Sequence, residues 1–192
     1  MTKKYKYFQR LAGLDSTKIV SVDVFDTLLL RKPTAEGKRF YKIALLQSSY
    51  LKEKYVVEIN PEDVLLARLE AARTVYRTKS RLFGAREAAV EEIYQLLFKM
   101  IGIDLNDELI DELINIEISY ELTELYANQL LVNILKQAKK QGKIIVGTSD
   151  MYLRSPQIKT LVNKIAGNIC DEVISSADYG YGKSSGRLFI TL

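Results

Sequence analysis

The sequence contains no histidine and no tryptophan, and Cys170 is its single cysteine among 192 residues. These absences exclude histidine-based triads, histidine metal sites, an intrachain disulfide and a zinc site built from cysteines. Chemistry in this chain therefore depends on carboxylates, lysine, serine and threonine. The sequence also lacks the ~18-residue apolar run of a membrane span and the apolar stretch of a signal peptide. We therefore expect a cytoplasmic protein without a membrane span.

Neither positive nor negative charge dominates the composition of the sequence. The 28 lysines and arginines outnumber the 24 acidic residues only slightly, giving a net charge of +4. Because the basic residues alternate with acids on segments with helical periodicity, we interpret them as solvated helix faces and expect no nucleic-acid partner. The hydrophobic fraction of 47% suits one compact domain, or a core domain with a smaller insert.

Residues 18–30, with the sequence KIVSVDVFDTLLL, combine a strand pattern with two carboxylates. The β-branched run ends at Asp23, as in a buried strand of a parallel sheet. Open α/β sheets bind ligands at the carboxyl ends of their strands, which is where Asp23, Asp26 and Thr27 are expected. A buried carboxylate is unfavourable unless it is paired or functional. Taken alone, the same residues also fit a solvated turn in which Asp26 caps the next element.

A long helical region follows this strand. Between residues 39 and 140 the apolar residues recur every three or four positions, which predicts about a hundred residues of helix. Asn60 followed by Pro61 has the composition of a helix N-terminus, and Asn106 is a second candidate cap. No internal repeat interrupts the pattern.

Strand composition returns in the last third of the chain. Residues 143–150 and 172–176 are predicted strands, and residues 130–141 and 156–166 are predicted helices. A helix that ends in glycine and leads into an apolar strand is half of a βαβ unit. The sequence therefore predicts the α/β class, with residues 1–17 as a polar and aromatic lead-in.

Two further polar groups follow the later strands. Thr148, Ser149 and Asp150 close the second strand, and Lys183 lies in a glycine-rich loop after the third. Hydroxyl and amide donors can hold phosphate oxygens, and a lysine can balance phosphate charge. The loop lacks the glycine spacing of a phosphate-binding P-loop. Taken singly, the hydroxyls fit helix capping and the lysine fits an ordinary surface position.

The segments DVFDTLL from Asp23, TSDMYL from Thr148 and KSSGRLF from Lys183 resemble the first three motifs of the haloacid dehalogenase superfamily of hydrolases. The likeness is greatest to a bacterial branch whose members often occur with surface-polysaccharide or glycosyltransferase functions. It implies a Rossmann-like parallel sheet core from residues 1–30 and 131–192. It also implies that residues 31–130 form an all-helical cap domain inserted after the first strand.

The same resemblance implies a magnesium-dependent phosphatase that acts on a small phosphorylated metabolite, such as a sugar phosphate. Asp23 would be the nucleophile that forms an aspartyl-phosphate, and it would bind Mg²⁺ together with the Phe25 carbonyl. Lys183 would balance charge, and Asp26 is a candidate acid/base. The candidate substrate-binding residues are Thr27, Ser149, Asp150 and, in the cap, Arg68. For Arg68, a solvated or ion-paired helix face is the alternative.

Two departures from the superfamily pattern favour a second hypothesis. Phe25 occupies the position where phosphatase members carry an acid/base aspartate, and no Gly-Asp-x-x-x-Asp motif follows Lys183. We therefore expect a fragment of a longer protein that lacks its last one or two strands. The alternative function is a non-catalytic or truncated binding or regulatory domain of the same fold. Apolar surface left uncovered by missing strands would favour self-association.

Overall fold

The computed structural model describes residues 3–103 and 106–190, so the predicted domain limits at residues 1 and 192 lie outside it. The chain is an α/β protein, in which four consecutive helices separate the second strand from the third. The strands are β1 (Ile19–Asp23), β2 (Leu29–Arg31), β3 (Leu125–Ala127), β4 (Ile144–Ser149) and β5 (Glu172–Ser175). The helices are α1 (Lys3–Ala12), α2 (Glu36–Tyr55), α3 (Pro61–Thr78), α4 (Val90–Met100), α5 (Asp107–Glu124), α6 (Gln129–Lys140), α7 (Ser155–Ala166) and α8 (Ser176–Tyr179).

The three longer strands form a parallel sheet in the order β1-β4-β5. Asp23 at the end of β1 lies opposite Thr148, and Ser149 at the end of β4 lies opposite Ser175. The predicted meeting of three strand ends at one edge of the sheet is therefore confirmed. Parallel neighbours need crossover connections, and α6 and α7 provide them.

Helices α2–α5 pack against one another between β2 and β3, and we call them the helical segment (36–124). Asn60 caps α3 by accepting a hydrogen bond from the Glu62 amide at 3.2 Å, and Asn106 caps α5 in the same way. These predicted starts are confirmed. The antiparallel pair β2–β3 joins the two ends of the segment. Residues 31–130, which were predicted to be all-helical, therefore include strand β3, which forms by pairing with β2.

The lead-in also differs from its prediction, because residues 3–12 form helix α1. Tyr5, Phe8 and Ala12 follow one another at helical spacing and face the apolar core. The hydroxyl of Tyr5 accepts a hydrogen bond from Asn128 at 2.9 Å, which attaches α1 to the start of α6. Tyr5, Phe8 and Ala12 have helical spacing in the sequence, but the pattern is too short to predict a helix.

One hydrophobic core runs through both the sheet and the helical segment. It includes Val22 and Ile145 of the sheet together with Tyr94 and Leu113 of the helices, and α5 packs against α7. A smaller cluster of Val146, Ile174 and Leu188 lies apart from it. Across the described ranges, no helix is both long and apolar enough to cross a membrane.

Candidate active site

The Asp23 carboxylate accepts hydrogen bonds through both oxygens. Thr27 donates to Oδ2 at 2.6 Å, and the Lys183 ammonium forms an ion pair with Oδ1. Lys183 is distant in sequence, and its loop follows β5, two strands away from Asp23 in the sheet. The Asp23 side chain nevertheless remains 41% exposed. A carboxylate that is oriented, charge-balanced and open to solvent can act as a nucleophile or bind a cation.

A tight turn directly after β1 brings Thr27 back to Asp23. The amides of Leu28 and Leu29 donate to the Val24 carbonyl at 2.9 and 2.8 Å, and the Asp26 amide donates to the Leu29 carbonyl at 2.8 Å. Asp26 has φ of +57°, the left-handed conformation that aspartate tolerates better than most residues. Its side chain is exposed, and it lies one residue beyond Phe25.

Asp150 orients the loop that carries Lys183. Both of its carboxylate oxygens accept the Lys183 backbone amide, at 2.9 and 3.0 Å. Gly182 lies against this carboxylate, since a Cβ at position 182 would be 3.0 Å from Asp150 Oδ2. The sequence predicted a substrate-binding Asp150, whereas the structure places its carboxylate against the backbone of a neighbouring loop. Ser149, next to it, is 2% exposed at the end of β4.

Glu87 reaches this loop from the connection between α3 and α4. Its Oε2 accepts a hydrogen bond from Ser176 at 2.8 Å, and its Oε1 would lie 2.9 Å from a Cβ on Gly182. Partial burial raises the pKa of Glu87, and the nearby Asp150 charge raises it further, while the Ser176 hydrogen bond acts in the opposite direction. Sequence reasoning missed Glu87, because the surrounding segment GAREAAV carries no recognisable motif.

Solved structures resemble this arrangement of elements. A defluorinating L-2-haloacid dehalogenase aligns with 91% of this chain and 66% of its own, at 15% identity and a TM-score of 0.50. The chain has the haloacid dehalogenase-like fold. No protein-family model and no curated protein matches the sequence.

Two other solved structures align less closely. One is a protein from Clostridium difficile assigned as a phosphatase, with 12% identity, 93% of this chain and 69% of the other covered, and a TM-score of 0.40. The other, from Bacteroides fragilis, is assigned as a haloacid dehalogenase-like hydrolase, with 13% identity, coverage of 92% and 71%, and a TM-score of 0.41. The chain spans about two thirds of the length of these three structures.

Oxygen ligands for a cation are few at this end of the haloacid dehalogenase-like sheet. Asp23 and the Phe25 carbonyl are the two expected donors, and the Asp23 oxygens already accept from Thr27 and Lys183. Within the ranges that the structure covers, no three Asp, Glu, His or Cys side chains cluster as a metal site would require. Magnesium prefers six oxygens in octahedral geometry. The residues present therefore do not complete a magnesium site, and Lys183 is the cation that faces Asp23.

Arg68, the predicted substrate-binding residue of the cap, lies inside the helical segment and is 5% exposed. Its guanidinium is 3.4 Å from Glu117, a fully buried carboxylate that also accepts from Tyr94 at 2.6 Å and from Tyr152 at 2.7 Å. Burial is the largest single influence and lowers the pKa of Arg68, but Glu117 together with Tyr152 and Tyr94 outweighs it, so the pKa is raised. Burial likewise raises the pKa of both tyrosines.

The structure thus brings together Asp23, Thr27 and Lys183, with Ser149 on the adjacent strand end. Asp26 is on the same turn, and Asp150 supports the lysine loop. Arg68 belongs to a separate buried network that reaches the sheet region through Tyr152.

Proposed function

We propose that this chain supplies the catalytic core of a hydrolase that transfers the phosphoryl group of a small phosphorylated metabolite, such as a sugar phosphate, to Asp23. The observation that carries the proposal is the Asp23 carboxylate, held by Thr27 and Lys183 at the carboxyl end of the sheet. Phosphoryl transfer depends mainly on positioning and charge stabilisation, which this arrangement offers.

In the proposed reaction an Asp23 oxygen forms a bond to phosphorus, and the bond from phosphorus to the leaving-group oxygen breaks. The Lys183 ammonium would move from the free carboxylate to the phosphoryl oxygens, since its charge is needed where negative charge accumulates. Water would then attack the aspartyl-phosphate, releasing inorganic phosphate and restoring Asp23. Thr27 would keep the second carboxylate oxygen in place.

The leaving-group oxygen needs a proton, and the Phe25 side chain has no acidic proton to donate. The proposal assigns this step to Asp26, the carboxylate one residue later on the exposed turn. Ser149 and Asp150 would border the phosphate, and the helical segment, as a cap, would close over the substrate. An acid placed off the line of the leaving oxygen transfers a proton poorly, so slow turnover is expected.

Magnesium belongs to the proposal through Asp23 and the Phe25 carbonyl, the two oxygens that the sequence resemblance assigns to it. Phosphate and water would have to provide the remaining ligands, as they do for many magnesium ions in phosphoryl-transfer sites. The contribution of magnesium is therefore tested by comparing turnover with and without added Mg²⁺.

Hydrolysis of an aryl phosphate, with and without magnesium, tests the proposal. We expect Asp23→Asn to abolish turnover, with a loss of at least about 100-fold, because the amide is a far weaker nucleophile. Asp15→Asn is the matched control, since Asp15 is an exposed aspartate in the turn before β1. Equal rates for wild type and Asp23→Asn would contradict the proposal.

Phe25 and the incomplete set of metal ligands favour a second candidate, a domain of the same fold that binds phosphate without turnover. Phosphate would then contact Lys183 while no product forms. Calorimetric binding of inorganic phosphate that is lost in Lys183→Met, together with no detectable hydrolysis in wild type, would select this alternative.

A further inference from the structure

In the described chain, the buried side-chain nitrogen and oxygen atoms without a hydrogen-bond partner lie on two neighbouring helices. They are Nε and Nη1 of Arg39, Oγ of Ser48 and Nε of Arg68, all on α2 and α3. Arg39 is 7% exposed and Arg68 is 5% exposed. An unpaired buried donor costs about 1–3 kcal/mol, so such groups in a native protein call for a bound water or ion.

The charges around these donors do not balance. Three guanidiniums, those of Arg31, Arg39 and Arg68, face two buried carboxylates, those of Glu117 and Glu121. Glu117 pairs with Arg68, whereas Glu121 is shared: it bonds to Arg31 and lies 3.5 Å from Nη1 of Arg39.

A third acid does not restore the balance. Glu36 comes no closer than 4.0 Å to Arg39, and its side chain is 74% exposed. Because an exposed partner neutralises a buried charge only weakly, the positive charge of Arg39 is incompletely balanced, and an anion beside it would be favourable.

Arg39 and Arg68 border the same aromatic ring. Their guanidinium carbons lie 5.5 and 5.1 Å from the centroid of Phe40, which fixes both groups on neighbouring helices. Arg68 is held further by the rings of Tyr94 and Tyr152, at 5.4 and 4.8 Å. Two immobilised guanidiniums with free N–H groups match the planar or tetrahedral oxygens of an oxyanion.

We propose that Arg39 and Arg68 bind a small oxyanion, a phosphate or carboxylate group, beside Phe40 inside the helical segment. The site is separate from Asp23 and Lys183 and does not require that the chain hydrolyse anything. The oxyanion is either a free ion or the second acidic group of a ligand whose phosphate contacts Lys183. Both sources present the same oxygens to the two arginines.

Thermal unfolding with inorganic phosphate tests the site. We expect phosphate at about ten times its dissociation constant to raise Tm by about 3 °C above the value in chloride of equal ionic strength. Arg39→Gln should lose this shift, because it removes the surplus charge and leaves Glu121 paired with Arg31. Arg73→Gln, which removes an exposed arginine of α3, should keep it. An equal shift in Arg39→Gln and wild type would overturn the proposal.

Lys183→Met separates this site from the one at Asp23. Retention of the phosphate shift in this variant supports a free oxyanion at Arg39 and Arg68, and its complete loss there overturns the proposal. The oxyanion could instead be the second acidic group of a larger ligand, and the probe for this case is 3-phosphoglycerate, which carries a phosphate and a carboxylate. Binding tighter than that of phosphate by about tenfold, and weakened by both Arg39→Gln and Lys183→Met, identifies a ligand that spans the two sites.

Nuclear magnetic resonance on the wild-type protein keeps the test decisive if Arg39→Gln does not fold. The Nε–H resonances of Arg39 and Arg68 should shift during a phosphate titration, since these protons lack partners. The exposed Nε–H of Arg73 serves as the internal reference. Saturation with phosphate that leaves both buried resonances unmoved would overturn the proposal.

Discussion

At the scale of single residues, the turn after β1 depends on a backbone conformation that few side chains accept. Asp26 occupies the left-handed region, with φ of +57°, and its amide closes the turn onto Leu29 at 2.8 Å. The left-handed region costs an ordinary L-residue about 1–2 kcal/mol, less for aspartate and nothing for glycine. The same turn positions Thr27 against Asp23. Residue 26 therefore controls the geometry of the site as well as local stability.

The first prediction concerns this position. Asp26→Val should lower the free energy of unfolding by about 1–2 kcal/mol, because a β-branched side chain is strained at positive φ. Asp26→Gly should change it by less than about 1 kcal/mol, since relief in the folded state is offset by a more flexible unfolded chain. Urea titration measures both. Asp15→Val, on an exposed turn, is the control, and a loss in Asp15→Val equal to that in Asp26→Val would contradict the prediction.

The residues that meet at the site differ in how far sequence could predict them. Asp23 and Lys183 were predicted to converge, because parallel strands place their carboxyl ends at one edge of a sheet. Glu87 was not predicted, since its contact with Ser176 depends on the path of the connection between α3 and α4. The buried state of Arg68 was also beyond prediction, because periodicity alone does not tell which charged residue finds a partner inside a bundle.

At the scale of elements, α7 begins with a cap supplied by a different part of the chain. Asp178 of α8 accepts the Ser155 amide at 2.9 Å and the Ser155 hydroxyl, and it lies 3.5 Å from Arg154. The first amides of a helix have no partner within the helix, so a carboxylate there satisfies a donor and complements the helix dipole. Asp178 thereby fixes α7 to the end of the sheet.

The second prediction follows from this cap. Asp178→Ala should lower the free energy of unfolding by about 1–2 kcal/mol, as for other lost helix caps. Asp178→Asn should lose less, because an amide oxygen still accepts one hydrogen bond. Urea unfolding measures the difference, and Asp111→Ala, which removes an exposed carboxylate of α5, is the control. Equal stability of the Asp178→Ala and Asp111→Ala variants would contradict this role.

Element prediction succeeded where the sequence pattern was long. The strands β1, β4 and β5 and the helices α6 and α7 follow from apolar runs and periodicity of adequate length. Helix α1 has ten residues with only three core-facing positions, and β3 has three residues, so neither has a pattern strong enough to identify it. β3 forms because the chain returns beside β2, which is a tertiary rather than a local cause.

At the scale of the whole molecule, Glu87 joins the helical segment to the loops of the sheet. It contacts Ser176, lies against Gly182, and its pKa is raised by burial and by the Asp150 charge. A carboxyl group whose pKa is higher in the folded state favours folding below its ordinary pKa. That contribution is lost as the pH rises through the raised pKa. At neutral pH the ionised Glu87 therefore weakens the junction.

The third prediction concerns the pH dependence of this junction. Glu87→Gln should be more stable than wild type at neutral pH, and the difference should shrink as the pH falls from about 7 to about 4, where Glu87 becomes protonated. Urea unfolding across this range measures it, with Glu70→Gln, on the exposed face of α3, as the control. A difference that does not vary with pH would contradict the assignment.

Glu117 is fully buried, and it accepts hydrogen bonds from Tyr94 in the helical segment and from Tyr152 in the loop after β4. Separating the two parts would remove partners from this carboxylate before water reached it, and a buried charge without its partners is strongly unfavourable. In a hydrogen–deuterium exchange experiment, we expect the backbone amides of α5 and those around Tyr152 to exchange slowly and at similar rates. The helical segment and the sheet would then protect each other as one cooperative unit.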